Sequence, residues 1–287
     1  MRTFAYARPA TLADAVALLA EHGPGARPLA GGTDLIIRLR DRSLQPDVVV
    51  DVKGIAELDD GIRQVDDRVV IGARAVMTDI AADPLVRRHF PALVDAAMVV
   101  GAVQIRNRAT LAGNICNASP AADTAPALLV HEASVVVAGP SGTRRIAVDD
   151  LWVRSGVTTL APGELVTAIE LPVPPGRQAS VHLRRTRRRG HDLAAVTLAC
   201  LVSDDGPARI AYGSVGPRPV VVSVADGTLT DPGATPEARL EALDRVFAAA
   251  SPSATSMRAS PEYRLAMLRV LGLRAIDAAI ARLAASA

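Results

Sequence analysis

A globular fold that mixes α-helices with β-strands and breaks near residues 171–176 is what this sequence predicts, and three observations carry it. Nearly half of the 287 residues are apolar (49%), enough for one large domain or two of ordinary size with a substantial core. Apolar residues recur at helical spacing in some segments and as short continuous runs in others, the two patterns of amphipathic helices and buried strands. The cluster LPVPPG at residues 171–176 interrupts both, because consecutive prolines stiffen a connector and exclude regular structure.

In chain order, Thr11 is placed to cap a helix running through Glu21, with Leu12, Val16 and Leu19 as its apolar stripe and Gly23 as its stop. A short strand over residues 27–30, a turn at Gly31-Gly32, a helix over 33–40 and a buried strand in 47–52 (DVVVDV) follow. These make a β–α–β-like unit whose glycine turn joins a strand to a helix start. Phosphate groups bind well at such a junction, where free N–H groups point outwards. Residues 68–72 (RVVIG) read as a strand, followed by a helix capped at Thr78 and another over 91–100. Strands at 134–138 and 164–171 flank a loop holding Trp152. Beyond the prolines come strands near 193–202 and 208–215, then helices over 236–250 and 261–283. No internal repeat is visible.

Composition removes several function classes. Net charge is only +2 at a pI of 8.8, and aromatics are 2% of the chain, so neither a basic face nor a base-stacking platform for nucleic acid is expected. Cys116 and Cys200 stand far apart without CxxC spacing, which argues against an iron–sulfur cluster or structural zinc on this chain. No run approaches the length of a membrane span, and the N-terminal residues lack a signal-like pattern. The expectation is a soluble, cytoplasmic protein.

Two segments are rich in turn formers. Residues 105–126 (IRNRATLAGNICNASPAADTAP) crowd Gly, Asn, Ser and Pro around one central carboxylate, Asp123, a composition poor at ordinary helix or strand. Residues 28–35 (PLAGGTDL) have the same character, and two such loops facing each other can clasp a large ligand. Gly31-Gly32 alone is explained by an ordinary strand-to-helix turn. Thr33 and Asp34 add a hydroxyl able to meet a phosphate and a carboxylate better suited to capping amides or meeting a hydroxyl. There is no GxGxxG and no Gly-Lys-Ser/Thr, so neither a Rossmann nor a Walker site is present.

Read together, PLAGGTDLI and IRNRATLAGNICNASPAADTAPALL resemble the flavoprotein subunits of molybdenum hydroxylases, the xanthine dehydrogenase and carbon monoxide dehydrogenase group. In that family an AGGxS/T-like loop and a TxGGNxxxAxPxxDxxP-like loop hold FAD. Tyr6-Ala7-Arg8-Pro9, GELVTAIELPVPP and HDLAAV resemble further family features in family order. The resemblance implies an α+β fold: a two-lobed FAD-binding domain of the PCMH or vanillyl-alcohol-oxidase-like type, with lobes at 1–55 and 56–174, then a sheet-plus-helices domain at 178–284. It implies that Ala30, Gly31, Gly32, Thr33 and Asp34 wrap the FAD pyrophosphate. Thr110, Leu111, Ala112, Gly113 and Asn114 form the opposing wall, Gly113 by close backbone approach and Asn114 by fixing the loop. Asp123 accepts hydrogen bonds from cofactor hydroxyls or loop amides, and Pro28, Leu29, Leu35 and Gly101 line the remaining path.

The sequence departs from the family pattern in places. Ala112-Gly113 replaces Gly-Gly, which is tolerable where φ at Ala112 is negative. Arg184 stands where relatives often carry Lys, and is the expected cofactor contact among five arginines at positions 184–189, the others reading as a solvated strand edge or a dock for an acidic partner. Leu193 stands where some relatives carry Tyr over the flavin, which suggests a more open flavin face. None of the five histidines has metal-ligand spacing, and His191-Asp192 is the pair best placed to lie near the flavin. Cys116 reads as a buried filler, and no residue is needed as catalytic acid or base. The function implied is an FAD-binding electron-transfer subunit that receives electrons from 2Fe–2S clusters of a partner, beside a molybdopterin partner, and passes them to NAD+, oxygen or another acceptor. The alternative is a stand-alone flavin oxidoreductase acting directly on a small substrate, with His191 and Tyr212 as its only candidate groups; a scaffold that has lost the cofactor is a third possibility.

Overall fold

The computed structural model describes residues 3–188, 190 and 192–285. The chain opens with a three-stranded parallel sheet in the order Ala5–Ala7, Val48–Asp51, Ala26–Leu29. Val48, Val49 and Val50 are buried, as strands of a parallel sheet covered on both faces require. The helix Leu12–His22 is capped as the sequence predicts: the Thr11 hydroxyl accepts the Asp14 N–H, and Gly23, at φ 48°, donates to the Leu19 carbonyl. The helix after the glycine turn starts later than expected, spanning Leu35–Arg40, and the Asp34 side chain caps none of its amides. Residues 31–34 therefore form a turn that leads into the helix, the Gly32 and Asp34 carbonyls accepting the Ile36 and Arg38 N–H groups at 3.0 and 3.1 Å.

A five-stranded antiparallel sheet follows, in the order Ile62–Val65, Arg68–Gly72, Leu165–Pro172, Ser134–Gly139, Gly142–Ala147. Short helices pack with it in one apolar core, among them Met77–Ala82, Pro91–Val99, Leu111–Cys116 and Thr124–Val130. Three expectations need correcting here. The cap of Met77–Ala82 is Val76, and the Thr78 hydroxyl instead donates to Asn107 Oδ1 at 2.6 Å. Residues 105–126 are not devoid of regular structure: they end the helix Val103–Arg106, contain Leu111–Cys116 and begin Thr124–Val130. Tertiary packing explains the difference, since Leu111, Ile115 and all seven residues of Thr124–Val130 are buried, and burial outweighs weak helix propensity in short segments. Trp152 is likewise no loop residue. It begins the strand Trp152–Arg154, is buried, and donates its indole N–H to the Ile115 carbonyl at 2.9 Å.

After the prolines, four antiparallel strands run in chain order: Gln178–Arg185, Val196–Ser203, Ala208–Gly213 and Val220–Val224. Side chains of adjacent strand residues point to opposite faces. Val181, Leu198, Cys200 and Tyr212 thus meet the helices Pro236–Val246 and Pro261–Ala285, while Ala199, Leu201 and Ala211 join the core around Thr124–Val130. The same alternation turns Ser180, His182 and Arg184 to the second face. Among the described residues no helix is long and apolar enough to cross a membrane.

Candidate functional site

The two turn-rich segments touch. Gly31 lies against the backbone of Arg108 and Ala109, so closely that a Cβ built on it overlaps the Arg108 carbonyl oxygen. Gly32 adopts φ 75°, a left-handed conformation that glycine takes without steric cost. The second segment is held in place by its neighbours: Met77 N–H donates to the Ala109 carbonyl at 3.0 Å and Leu111 N–H to the Ala75 carbonyl at 3.2 Å. Thr110, Leu111 and Ala112 are buried, whereas Gly113 is exposed. The Thr110 hydroxyl accepts the Gly113 N–H at 3.1 Å, capping Leu111–Cys116. Ala112 is not among the residues with positive φ, so the methyl group that replaces a family glycine sits without strain. Asn114 Oδ1 accepts the Thr124 hydroxyl at 2.6 Å, tying the two helices of the segment together.

Hydrogen-bond capacity separates the two segments. Among the described residues, the backbone N–H groups of residues 30–35 donate to no protein acceptor, while those of Gly113 and Asn114 are used by the helix. An uninterrupted run of free donors is a receptor for anionic oxygen. Asp34, at the end of this run, has its carboxyl pKa raised by desolvation, with Arg38 opposing. Pro28 and Leu29 precede the run and Leu35 ends it, and Gly101, at φ 53°, packs where a Cβ would come within 2.7 Å of Ile105.

Asp123 and Arg184, 61 positions apart, form an ion pair: Arg184 Nη1 donates to Asp123 Oδ2 at 2.7 Å. Asp123 is 7% exposed, and its other oxygen, Oδ1, is buried without a hydrogen-bond partner among the described residues. His182 Nε2 stands 3.6 Å from that oxygen and is bonded to Thr197 Oγ1 at 2.8 Å. Among the described residues no loop amide donates to Asp123, and its protein hydrogen bond comes from Arg184. The pair's partners His182 and Thr197 escaped sequence reading. His182 precedes Arg184 by two positions, the spacing of one strand face, but the arginine run hid the strand Gln178–Arg185.

The remaining candidates are dispersed. Arg187 bonds Asp192 at 3.2 Å and Arg185 donates to the Tyr263 hydroxyl at 2.7 Å, while Leu193 is 47% exposed. His191 lies outside the described residues. Cys116 is half-buried where a buried filler was expected, and Cys200 is buried; desolvation raises both thiols to about 12, which keeps them protonated. Tyr212, a candidate for direct catalysis, is a core residue whose hydroxyl donates to the Val246 carbonyl at 3.3 Å.

The matched family models name the class. Residues 2–174 match the FAD binding domain in molybdopterin dehydrogenase, and residues 182–279 match the CO dehydrogenase flavoprotein C-terminal domain. The chain belongs to this family of oxidoreductase flavoproteins, whose cofactor is FAD. More particularly, it is 32% identical over 281 residues to a xanthine dehydrogenase FAD-binding subunit of Escherichia coli, with 96% of each chain covered. It is 32% identical over 285 residues to the carbon monoxide dehydrogenase medium chain of Hydrogenophaga pseudoflava, covering 98% of each. A chain of the reconstituted CO dehydrogenase from Oligotropha carboxidovorans superimposes with TM-score 0.90 at 31% identity, over 98% of this chain and 99% of that one.

Proposed function

We propose that this chain is the electron-transfer subunit of a multi-subunit molybdenum hydroxylase, receiving electrons from the 2Fe–2S clusters of one partner, with molybdopterin on another, and delivering them to NAD+, oxygen or a further acceptor. The observation that carries this reading is the run of free N–H donors at residues 30–35 set against the backbone of the second segment. In it, Ala30 to Leu35 hold the FAD pyrophosphate with Thr33 adding a hydroxyl, and Pro28 and Leu29 line the approach. Thr110 to Asn114 close the opposite side, and the exposed Gly113 lets the cofactor approach the backbone. The unpartnered Asp123 Oδ1 accepts a cofactor hydroxyl, while Arg184 orients the carboxylate through its bond to Oδ2. Bound FAD supplies the redox chemistry; the chain supplies position, orientation and exclusion of water.

In this reading the fold divides into two FAD-binding lobes, 1–55 and 56–174, of the PCMH or vanillyl-alcohol-oxidase-like type, and a third unit at 178–284, in a cytoplasmic complex. A stand-alone oxidoreductase has less support, because Tyr212 is built into the core. Purification tests the proposal. The chain is expected to be yellow, to release FAD on denaturation, and to co-purify with molybdenum and iron only when its genetic neighbours are co-expressed. A colourless protein under flavin-replete conditions overturns it; a flavoprotein that oxidises a small substrate without partners favours the alternative.

A further inference from the structure

A second polar site lies at the other end of the helix Leu111–Cys116 from its Thr110 cap. There the hairpin after Trp152 is tied to the helix terminus, through the indole bond to Ile115 and a 2.9 Å bond from Gly156 N–H to the Ala118 carbonyl. Beside it opens a pocket of about 490 Å³, lined by Ser119, Ser214, Ser251, Ser256, Arg258 and Arg264 among others, with no carboxylate in its wall.

The unusual member is Arg264. Its side chain enters from the first turn of Pro261–Ala285 and is only 3% exposed. It donates Nη1 to the Ser214 carbonyl at 2.5 Å and Nη2 to the Ser256 hydroxyl. Among the described residues it has no ion pair with any Asp or Glu, and its Nε is buried without a partner. Buried guanidinium groups are ordinarily paired with anions, since an unbalanced charge away from water is costly. Burial, and next the charge of Arg258, lower the pKa of Arg264. Ser214 repeats the pattern: it is 7% exposed, and its hydroxyl is buried and unbonded. Its backbone is held at φ 68° by a 2.6 Å bond from its N–H to the Pro120 carbonyl and by the Arg264 bond. Arg258, the second cation, makes no side-chain hydrogen bond or ion pair among the described residues. Two guanidinium groups, a wall of serine hydroxyls and no acid make a site for an oxyanion, because every one of these groups donates to anionic oxygen.

We propose that this pocket, whose wall takes Ser119, Pro120 and Ala121 from the second turn-rich segment, binds the phosphate group of a phosphorylated small molecule at a position distinct from that of the FAD pyrophosphate. Arg264 forms its floor, Ser214 and Ser256 supply hydroxyl donors, and Arg258 closes over the anion from the rim. The volume exceeds what inorganic phosphate fills and suits a small ligand carried on the phosphate.

The test uses the full chain, with FAD bound and again after FAD removal, and takes inorganic phosphate and ribose 5-phosphate as probes. Thermal melting is compared at constant ionic strength with chloride as the control. Both probes are expected to raise Tm whether or not FAD is present, the sugar phosphate at concentrations at least tenfold lower. Arg258→Gln, at a half-buried rim position, is expected to weaken both at least tenfold and to leave FAD content and the visible spectrum unchanged. Ser214→Ala, which keeps the backbone, is expected to weaken them less. Stabilisation equal to that of chloride overturns the proposal, as does unchanged phosphate affinity in Arg258→Gln. Loss of FAD in Arg258→Gln would make the pocket part of the cofactor cleft and overturn its independence. Phosphate binding by the free chain that disappears on assembly with the partner subunits would assign the pocket to a partner's carboxylate instead.

Discussion

The two segments that meet at Gly31 look alike in sequence and differ in what their backbones have left to give. In residues 30–35 no N–H donates to a protein acceptor among the described residues. In the second segment, Thr110, Asn114 and Thr124 spend their side chains on building and joining two short helices, and Asp123 spends one oxygen on Arg184. Small, turn-forming residues therefore end in different states: among the described residues one segment keeps its N–H groups unsatisfied, and the other spends much of its polar capacity on its own helices. Glycine-rich composition thus marks close approach, while the hydrogen bonds mark which segment has donors left over.

Substitutions ranked by their cost to apo-protein stability sharpen this contrast. Asp123→Ala strands the mostly buried Arg184 guanidinium and is expected to cost about 3 kcal/mol in chemical denaturation, along with weaker FAD binding. A cost near zero would mean that the ion pair is not a support of the second segment. Gly31→Ala forces a methyl group onto the Arg108 carbonyl, and the segments must part; a loss of about 1–3 kcal/mol together with FAD is expected. Thr110→Ala removes a helix cap for about 1 kcal/mol, with FAD retained at reduced affinity in equilibrium dialysis. Gly113→Val puts a Cβ 2.8 Å from the Thr110 hydroxyl and so disturbs the same cap, at a cost of no more than about 1 kcal/mol, yet it should abolish FAD retention. Full flavin content in that variant would remove the second segment from the cofactor wall. His89→Ala, remote from both segments in the chain, is the control and should leave FAD content unchanged.

What could be read from the sequence was what local chemistry decides. The Thr11 cap, the Gly23 stop and the Gly31-Gly32 turn each follow from one or two residues, and each stands where expected. The helix Leu111–Cys116 was hidden because Gly113 and Asn114 disfavour it locally; it forms through the Thr110 cap, buried Leu111 and Ile115, and the Trp152 bond, contacts that no short window contains. Asp123 was visible as the lone carboxylate of its segment, but its partner lies in a strand disguised by arginines. Arg264 escaped notice for a related reason: an arginine in a helix rich in Ala, Leu and Arg looks solvated until the fold buries it.

The strand Gln178–Arg185 also limits how this protein can change over time. Its even-numbered residues Ser180, His182 and Arg184 face the Asp123 side, and its odd-numbered Ala179 and Val181 face the helices. Insertion or deletion of a single codon would exchange the two sets, sending charge into an apolar core and valine against a carboxylate. Point substitutions can be sampled here one at a time, but length cannot. Length variation among descendants of this chain should therefore accumulate after Arg185, where the ladder to Val196 has ended.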